Sequence, residues 1–186
     1  MPSSTQRDRR GFPTRDLTVF AVLAAMMFLS RIILQFIPNV HVLGLFIAAT
    51  TIVYRARALI PLYAWILLEG VFAGFSFWWM PYLYVWLPLW GIFMLAGPRP
   101  GSGMPPLQSR IRAPLYMVLA GLHGLAFGVL YAPAQALIFG LGFRGMIAWI
   151  IAGFSFDVIH AIGNFAAGTL IIPLAALLTK LDRGQI

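Results

Sequence analysis

Residues 17–37 read LTVFAVLAAMMFLSRIILQFI, and their only charge is Arg31. About 20 consecutive apolar residues are what a helix needs to cross the hydrocarbon core of a bilayer. The segment before this run, Met1–Asp16, is polar and basic, and no small-residue cleavage site follows the run. It is therefore expected to be a retained transmembrane helix rather than a signal peptide. The composition of the whole chain agrees. Of 186 residues, 61% are hydrophobic and 10% charged, against about half and about a quarter in soluble domains. So little charge cannot cover a water-exposed surface, and so much apolar content excludes a disordered chain. The class is an all-α integral membrane protein.

Five further apolar runs follow the first. The second, Val40–Tyr54, is short and ends at Arg55-Ala56-Arg57. The third spans about Ala58–Phe77. The aromatic turn Trp78-Trp79-Met80-Pro81 leads into the fourth, Tyr82–Ala96. Residues 97–113 hold four prolines and three arginines and read as a flexible loop. The fifth run opens at Pro114, a residue suited to a first helical position, and extends to Tyr131. Residues 132–154 are apolar but interrupted by Pro133, Gly140, Gly142 and Gly145. They read as an extracytoplasmic, partly embedded helical hairpin. The sixth run is Ser155–Leu178. The expectation is one six-helix bundle over residues 17–179, with basic tails at 1–16 and 180–186.

The formal charge of +8 tests this arrangement. With the N-terminus inside, the inner segments collect Arg7, Arg9, Arg10, Arg15, Arg55, Arg57, Arg99, Arg110, Arg112, Lys180 and Arg183, which is 11 of the 13 basic residues. Only Arg31 and Arg144 fall elsewhere. Basic residues accumulate in cytoplasmic loops, so the excess reports both termini inside rather than a nucleic-acid partner.

Small residues recur at helix-packing spacing: Ala21 and Ala25, Gly70 and Gly74, and Ala120, Gly124 and Gly128. Lipid tails are as apolar as Leu, so close backbone approach drives helix association in a bilayer. Such pairs serve either packing within the bundle or docking of a membrane partner.

Ionisable groups inside a span are costly and mark sites by default. Glu69 lies near the middle of the third run, and Arg31 in the outer half of the first. Asp157, His160 and Asn164 have offsets of 0, 3 and 7, so they share one helix stripe. His41 opens the second run. These groups converge on the outer half of the bundle. One reading is ligand binding; the other is an ion pair of Arg31 with Asp157 or Glu69 that ties helices together. His123 reads as a packed, hydrogen-bonded core residue. Trp78, Trp79, Tyr82, Tyr84 and Trp86 form either an interfacial belt or the wall of a pocket for a flat ligand.

Other chemistry is missing. There are no cysteines, no phosphate-binding loop and a single Lys at position 180, so the chain is not its own ATP motor. It carries no zincin or nucleophile-elbow motif. His41, Asp157 and His160 lack local metal-ligand spacing. The expectation is no enzyme, no cofactor and no metal.

Several stretches resemble the substrate-binding S-components of energy-coupling factor (ECF) vitamin transporters. They are Pro38-Asn39-Val40-His41, Leu67-Leu68-Glu69-Gly70, residues 78–86 (WWMPYLYVW) and residues 156–165 (FDVIHAIGNF). Ala21-xxx-Ala25 is similar to the Ala-x-x-x-Ala signature on the first helix of that family. The resemblance covers nearly the whole chain. It implies a cell-membrane protein of prokaryotic type that binds a vitamin or related micronutrient from outside. It further implies docking onto a transmembrane coupling subunit driven by two ATPases, and toppling of the S-component to deliver its ligand. Ala21 and Ala25 would then be docking residues. Glu69, Trp79, Tyr82, Asp157, His160 and Asn164, with Arg31, Asn39, His41 and Tyr84, form the expected substrate-binding set. Nickel and cobalt members carry a metal-binding His near the N-terminus, whereas this chain starts Met1-Pro2-Ser3-Ser4. The aromatic corner suits a large flat ligand such as a corrinoid or a pterin. A corrinoid would use His41, His160 or no protein ligand. The competing reading is a membrane scaffold subunit of the MreD cell-shape type, which needs no converging polar residues.

Overall fold

The computed structural model describes residues 14–37, 40–98 and 106–185, the side chains of 106–110 excepted. Asn39 and most of the basic N-terminal tail lie outside the described residues. The described chain is helical, without strands: α1 Thr14–Leu34, α2 Leu43–Tyr54, α3 Leu59–Ala73, α4 Tyr82–Val85, α5 Leu87–Ala96, α6 Pro106–Leu125, α7 Phe127–Phe139, α8 Phe143–Ala167 and α9 Ile171–Asp182. Single turns of 3₁₀ helix join α2 to α3 and α8 to α9. Four helical runs are long and apolar enough to cross a membrane: Thr14–Leu34, Leu43–Ala73, Ile111–Phe139 and Phe143–Asp182. Tyr82–Ala96 is a shorter apolar helix. The protein is an all-helical, membrane-embedded one.

Each helix sits where its sequence allows. Every residue of α2 except Val53 is buried, as expected of a helix that is apolar all round. Its two hydroxyls are satisfied within the helix: Thr50 donates to Phe46 O at 2.7 Å and Thr51 to Ile47 O at 2.6 Å. Around α2 pack α5 and α9, while α1 lies on α3 and α6 on α8. The outer faces of α1, α6 and α8 expose Val22, Leu29, Ile33, Leu122, Ile151 and Ile162, the pattern of a lipid-facing surface.

Two helix boundaries differ from the sequence reading. The expected loop 97–113 ends earlier, because α6 begins at Pro106 and Pro114 lies inside it. The expected embedded hairpin at 132–154 is the meeting of two long helices. There α7 runs to Phe139, Gly140 turns the chain in the left-handed conformation (φ 65°), and α8 starts at Phe143. Pro133 does not end α7. In lipid the remaining backbone groups have no water to bond, so the segment stays helical past one missing donor. Gly145 sits in the first turn of α8, where it interrupts nothing.

Of the described basic residues, Arg15, Arg55, Arg57 and Arg112 gather at one end of the bundle. Arg57 pairs with Asp16 at the start of α1. Arg55, at the break after α2, bonds Met94 O. Arg112 Nη1 donates to Ala96 O at 2.8 Å. Both arginines thus cap the C-terminal end of α5, where carbonyls and the helix dipole favour positive charge. Arg15 approaches Gly184 just beyond α9. Arg55 holds φ 56°, the one positive φ outside glycine among the described residues. Its carbonyl accepts Trp90 Nε1 at 3.2 Å, and these bonds hold the turn.

Candidate functional site

The opposite end is built differently. Helix α8 has 25 residues, and those it buries are Asp157, His160 and Asn164. Its large apolar residues face outward, and these three polar ones face inward. That inverts a soluble amphipathic helix and fits a helix with lipid on one side and a polar interior on the other. The offsets of 0, 3 and 7 place all three on the inward stripe.

Asp157 has a structural partner. The α6–α7 path breaks at Ala126, and this frees the amide of Gly128 in the first turn of α7. That amide donates to Asp157 Oδ1 at 3.0 Å. The carboxylate therefore caps α7 from a neighbouring helix, at the end where the dipole favours an anion.

Glu69 and Arg31 also pair with each other. Arg31 Nη1 lies 2.8 Å from Glu69 Oε2, and the second carboxylate oxygen accepts Trp65 Nε1 at 3.1 Å. Glu69 is fully buried while the Arg31 side chain is one-third exposed. The pair ties α1 to α3, and two charges cancel instead of one being left in an apolar interior. Of the two pairings open to Arg31 in the sequence, this is the one formed.

The aromatic corner is part wall and part fastening. Trp79 Nε1 donates to Ile66 O at 2.7 Å, and Tyr84 Oη to Leu130 O at 2.8 Å. Tyr131 Oη donates to Trp78 O at 2.6 Å. These bonds lock the Trp78–Tyr84 segment to α3 and α7. Tyr82 stacks on Trp65 at 5.8 Å and meets Trp86 edge-on at 6.0 Å.

Behind this wall lies a cluster of neutral polar side chains. His41 stands just ahead of α2, with its ring 4.2 Å from that of His160 and 5.6 Å from that of Trp86. Trp86, at the break between α4 and α5, lies 5.6 Å from His123 and 5.4 Å from Phe127. Phe127 in turn lies 4.7 Å from His160. Asn164 sits one turn along α8 from His160, against Gly44, where a Cβ would come within 3.0 Å of its Oδ1. His123 Nε2 donates to Val85 O at 2.9 Å, so the neutral ring offers Nδ1 as an acceptor. Six polar atoms here are buried without a protein partner: His41 Nδ1, Trp86 Nε1, His123 Nδ1, His160 Nε2, and Nδ2 and Oδ1 of Asn164. Buried polar groups are almost always hydrogen-bonded, so this concentration marks a place built to bond something else.

The sequence candidates thus divide. His41, His160 and Asn164 come together with open valences. Arg31, Glu69, Trp79, Tyr84 and Asp157 come to the same end but are bonded within the protein, and Tyr82 contributes a wall. Asn39 lies outside the described residues. The sequence reading did not place Trp86, His123 and Phe127 in the substrate-binding set. His123 sits alone among apolar neighbours, and Trp86 is one tryptophan among several, so no local spacing singles them out. Among the described residues, no three His, Asp or Glu are placed to hold a metal ion. No protein-family model, curated protein or solved structure matches the chain.

Ala21 and Ala25 are exposed on α1, next to the exposed Val22, Met26 and Leu29. Among the described residues they pack against nothing in the bundle core. Gly124 and Gly128, by contrast, line the contact of α6 and α7 with α8, and Ala120 is buried in the core. A Cβ on Gly124 would lie 2.9 Å from the Ala161 backbone.

Proposed function

We propose that this chain is the substrate-binding S-component of an ECF-type importer for a vitamin or related micronutrient. The observation that carries the reading is the inward polar stripe of α8 and the unpartnered atoms it shares with His41, Trp86 and His123. A membrane scaffold has no use for six open hydrogen-bonding valences in its interior. They are what a high-affinity site for a small polar molecule requires.

The same reading accounts for the two ends. Positive charge favours the cytoplasmic side, which puts the Arg55, Arg57 and Arg112 end inside and the polar cluster in the outer half. In this arrangement α1, α2, α3, α4–α5, α6–α7 and α8–α9 are six membrane passes, with both termini cytoplasmic. The exposed Ala21 and Ala25 face then docks the coupling subunit, since small side chains let two helix backbones approach. The ATPases of the complex supply the energy, and this chain supplies recognition.

Ala21→Leu with Ala25→Leu separates the two activities. Ligand retained by the purified variant should match that of the parent, while uptake by cells should fall at least tenfold. Normal uptake by the double variant would remove the docking assignment. Mass spectrometry of the purified parent should find one small molecule per chain, and a chain that retains none and takes up none would remove the transport reading.

A further inference from the structure

The chemistry of the cluster narrows the ligand, an inference that rests on the S-component reading above. The cluster's side chains with open valences, His41, Trp86, His123, His160 and Asn164, are all neutral or neutral-capable; the other buried polar atoms without a hydrogen bond are Glu69 Oε2, which is ion-paired with Arg31, and Arg55 Nη1 at the other end of the bundle. Of the formal charges nearest to them, Arg31 is cancelled by Glu69, and the Asp157 carboxylate lies against Gly128 of α7, with Oδ1 on its amide and Oδ2 where a Cβ would sit. A charged ligand group bonded to the open atoms would find no counter-charge among them, and an unpaired charge in an apolar interior is strongly disfavoured. The surrounding rings of Trp86, Phe127, His41 and His160 present faces and edges suited to a flat partner. Asn164 offers one donor and one acceptor side by side, the complement of a ring amide. Trp86 Nε1 can only donate, and the His123 ring, with Nε2 donating to Val85, accepts at Nδ1.

We infer that the cluster binds an uncharged planar heterocycle carrying a lactam-type N–H/C=O edge. Asn164 pairs with that edge, Trp86 donates to a ring nitrogen or carbonyl, and the three histidines bond the remaining polar positions.

The test uses the full-length protein in lipid nanodiscs, freed of retained ligand, with Trp fluorescence and calorimetry as readouts. The probes are matched neutral and charged lactam heterocycles: uracil against orotate, pterin against pterin-6-carboxylate, and lumichrome as a larger neutral ring. At least one neutral probe should bind saturably, one per chain, and at least tenfold more tightly than its charged counterpart where one exists. Asn164→Leu and, separately, His160→Phe should each weaken that binding at least tenfold with the helical circular dichroism unchanged. His41→Phe serves as a second wall variant should either fail to fold. Preference for a charged probe, no saturable binding of any neutral probe, or full binding by folded Asn164→Leu would each overturn the inference. If mass spectrometry finds a charged molecule retained by the protein, the transport reading stands and the ligand class falls. If nothing is retained and nothing is taken up, the transport reading falls with it.

Discussion

Two stretches of this protein carry the same small-residue spacing and use it in opposite ways. In α6 and α7, Ala120, Gly124 and Gly128 are consumed by the bundle, because α8 lies so close that even a methyl group at Gly124 would strike the Ala161 backbone. In α1, Ala21 and Ala25 face outward and none of the described residues covers them. Spacing of this kind reports that a helix face can be approached closely. It does not report by what. A third pair separates further: Gly70 lies under the Phe75 ring, and Gly74 ends α3 at φ 90°, with open space where its Cβ would be. Neither of those glycines serves helix–helix packing.

Substitutions can break this contrast, and their expected costs fall in order. Gly124→Leu forces α6 and α8 apart at backbone contact, with no flexible side chain to give way. Overpacking of that kind costs about 3 kcal/mol or more, and thermal unfolding in detergent should show a large loss of folded protein. Gly128→Ala comes next. Its methyl would sit where Asp157 Oδ2 now lies, displacing the carboxylate from the Gly128 amide, a loss of about 2 kcal/mol for an unpaired buried group. Gly74→Ala should cost about 1 kcal/mol or more, and Gly74→Asn no less, because φ 90° with ψ 139° lies outside the left-handed helical region and is open essentially to glycine alone. The double Leu variant at Ala21 and Ala25 should change stability by less than about 0.5 kcal/mol, as exposed positions do, yet abolish uptake. A large stability loss there would mean the α1 face is used within the chain, and the contrast with α6 would collapse.

The polar residues repeat the lesson at the level of single side chains. The stripe of Asp157, His160 and Asn164 was legible from offsets on one helix, because helical periodicity fixes which residues share a face. Their different roles were not. Asp157 is bonded to an amide exposed by a break at Ala126, and that break belongs to another helix. His123 reads as a core residue in its own segment, and one of its nitrogens does bond Val85. Its other nitrogen becomes part of the cluster only because Trp86 and Phe127 arrive beside it. Glu69 and Arg31 are 38 residues apart in sequence and meet only when α1 lies on α3.

The sequence by itself determined the solvent of this protein and the direction of its faces. Run lengths and scarce charge specify helices in a bilayer, and the places of the basic residues mark one end of the bundle. These properties are local or compositional, and no contact between distant residues is needed to express them. The tertiary structure decided which polar groups are spent and which stay open. Whether a buried valence is satisfied depends on the atoms within about 3 Å of it, and here the open groups come from the α1–α2 connection, the α4–α5 break, α6 and α8 together. No single segment of the sequence contains that arrangement.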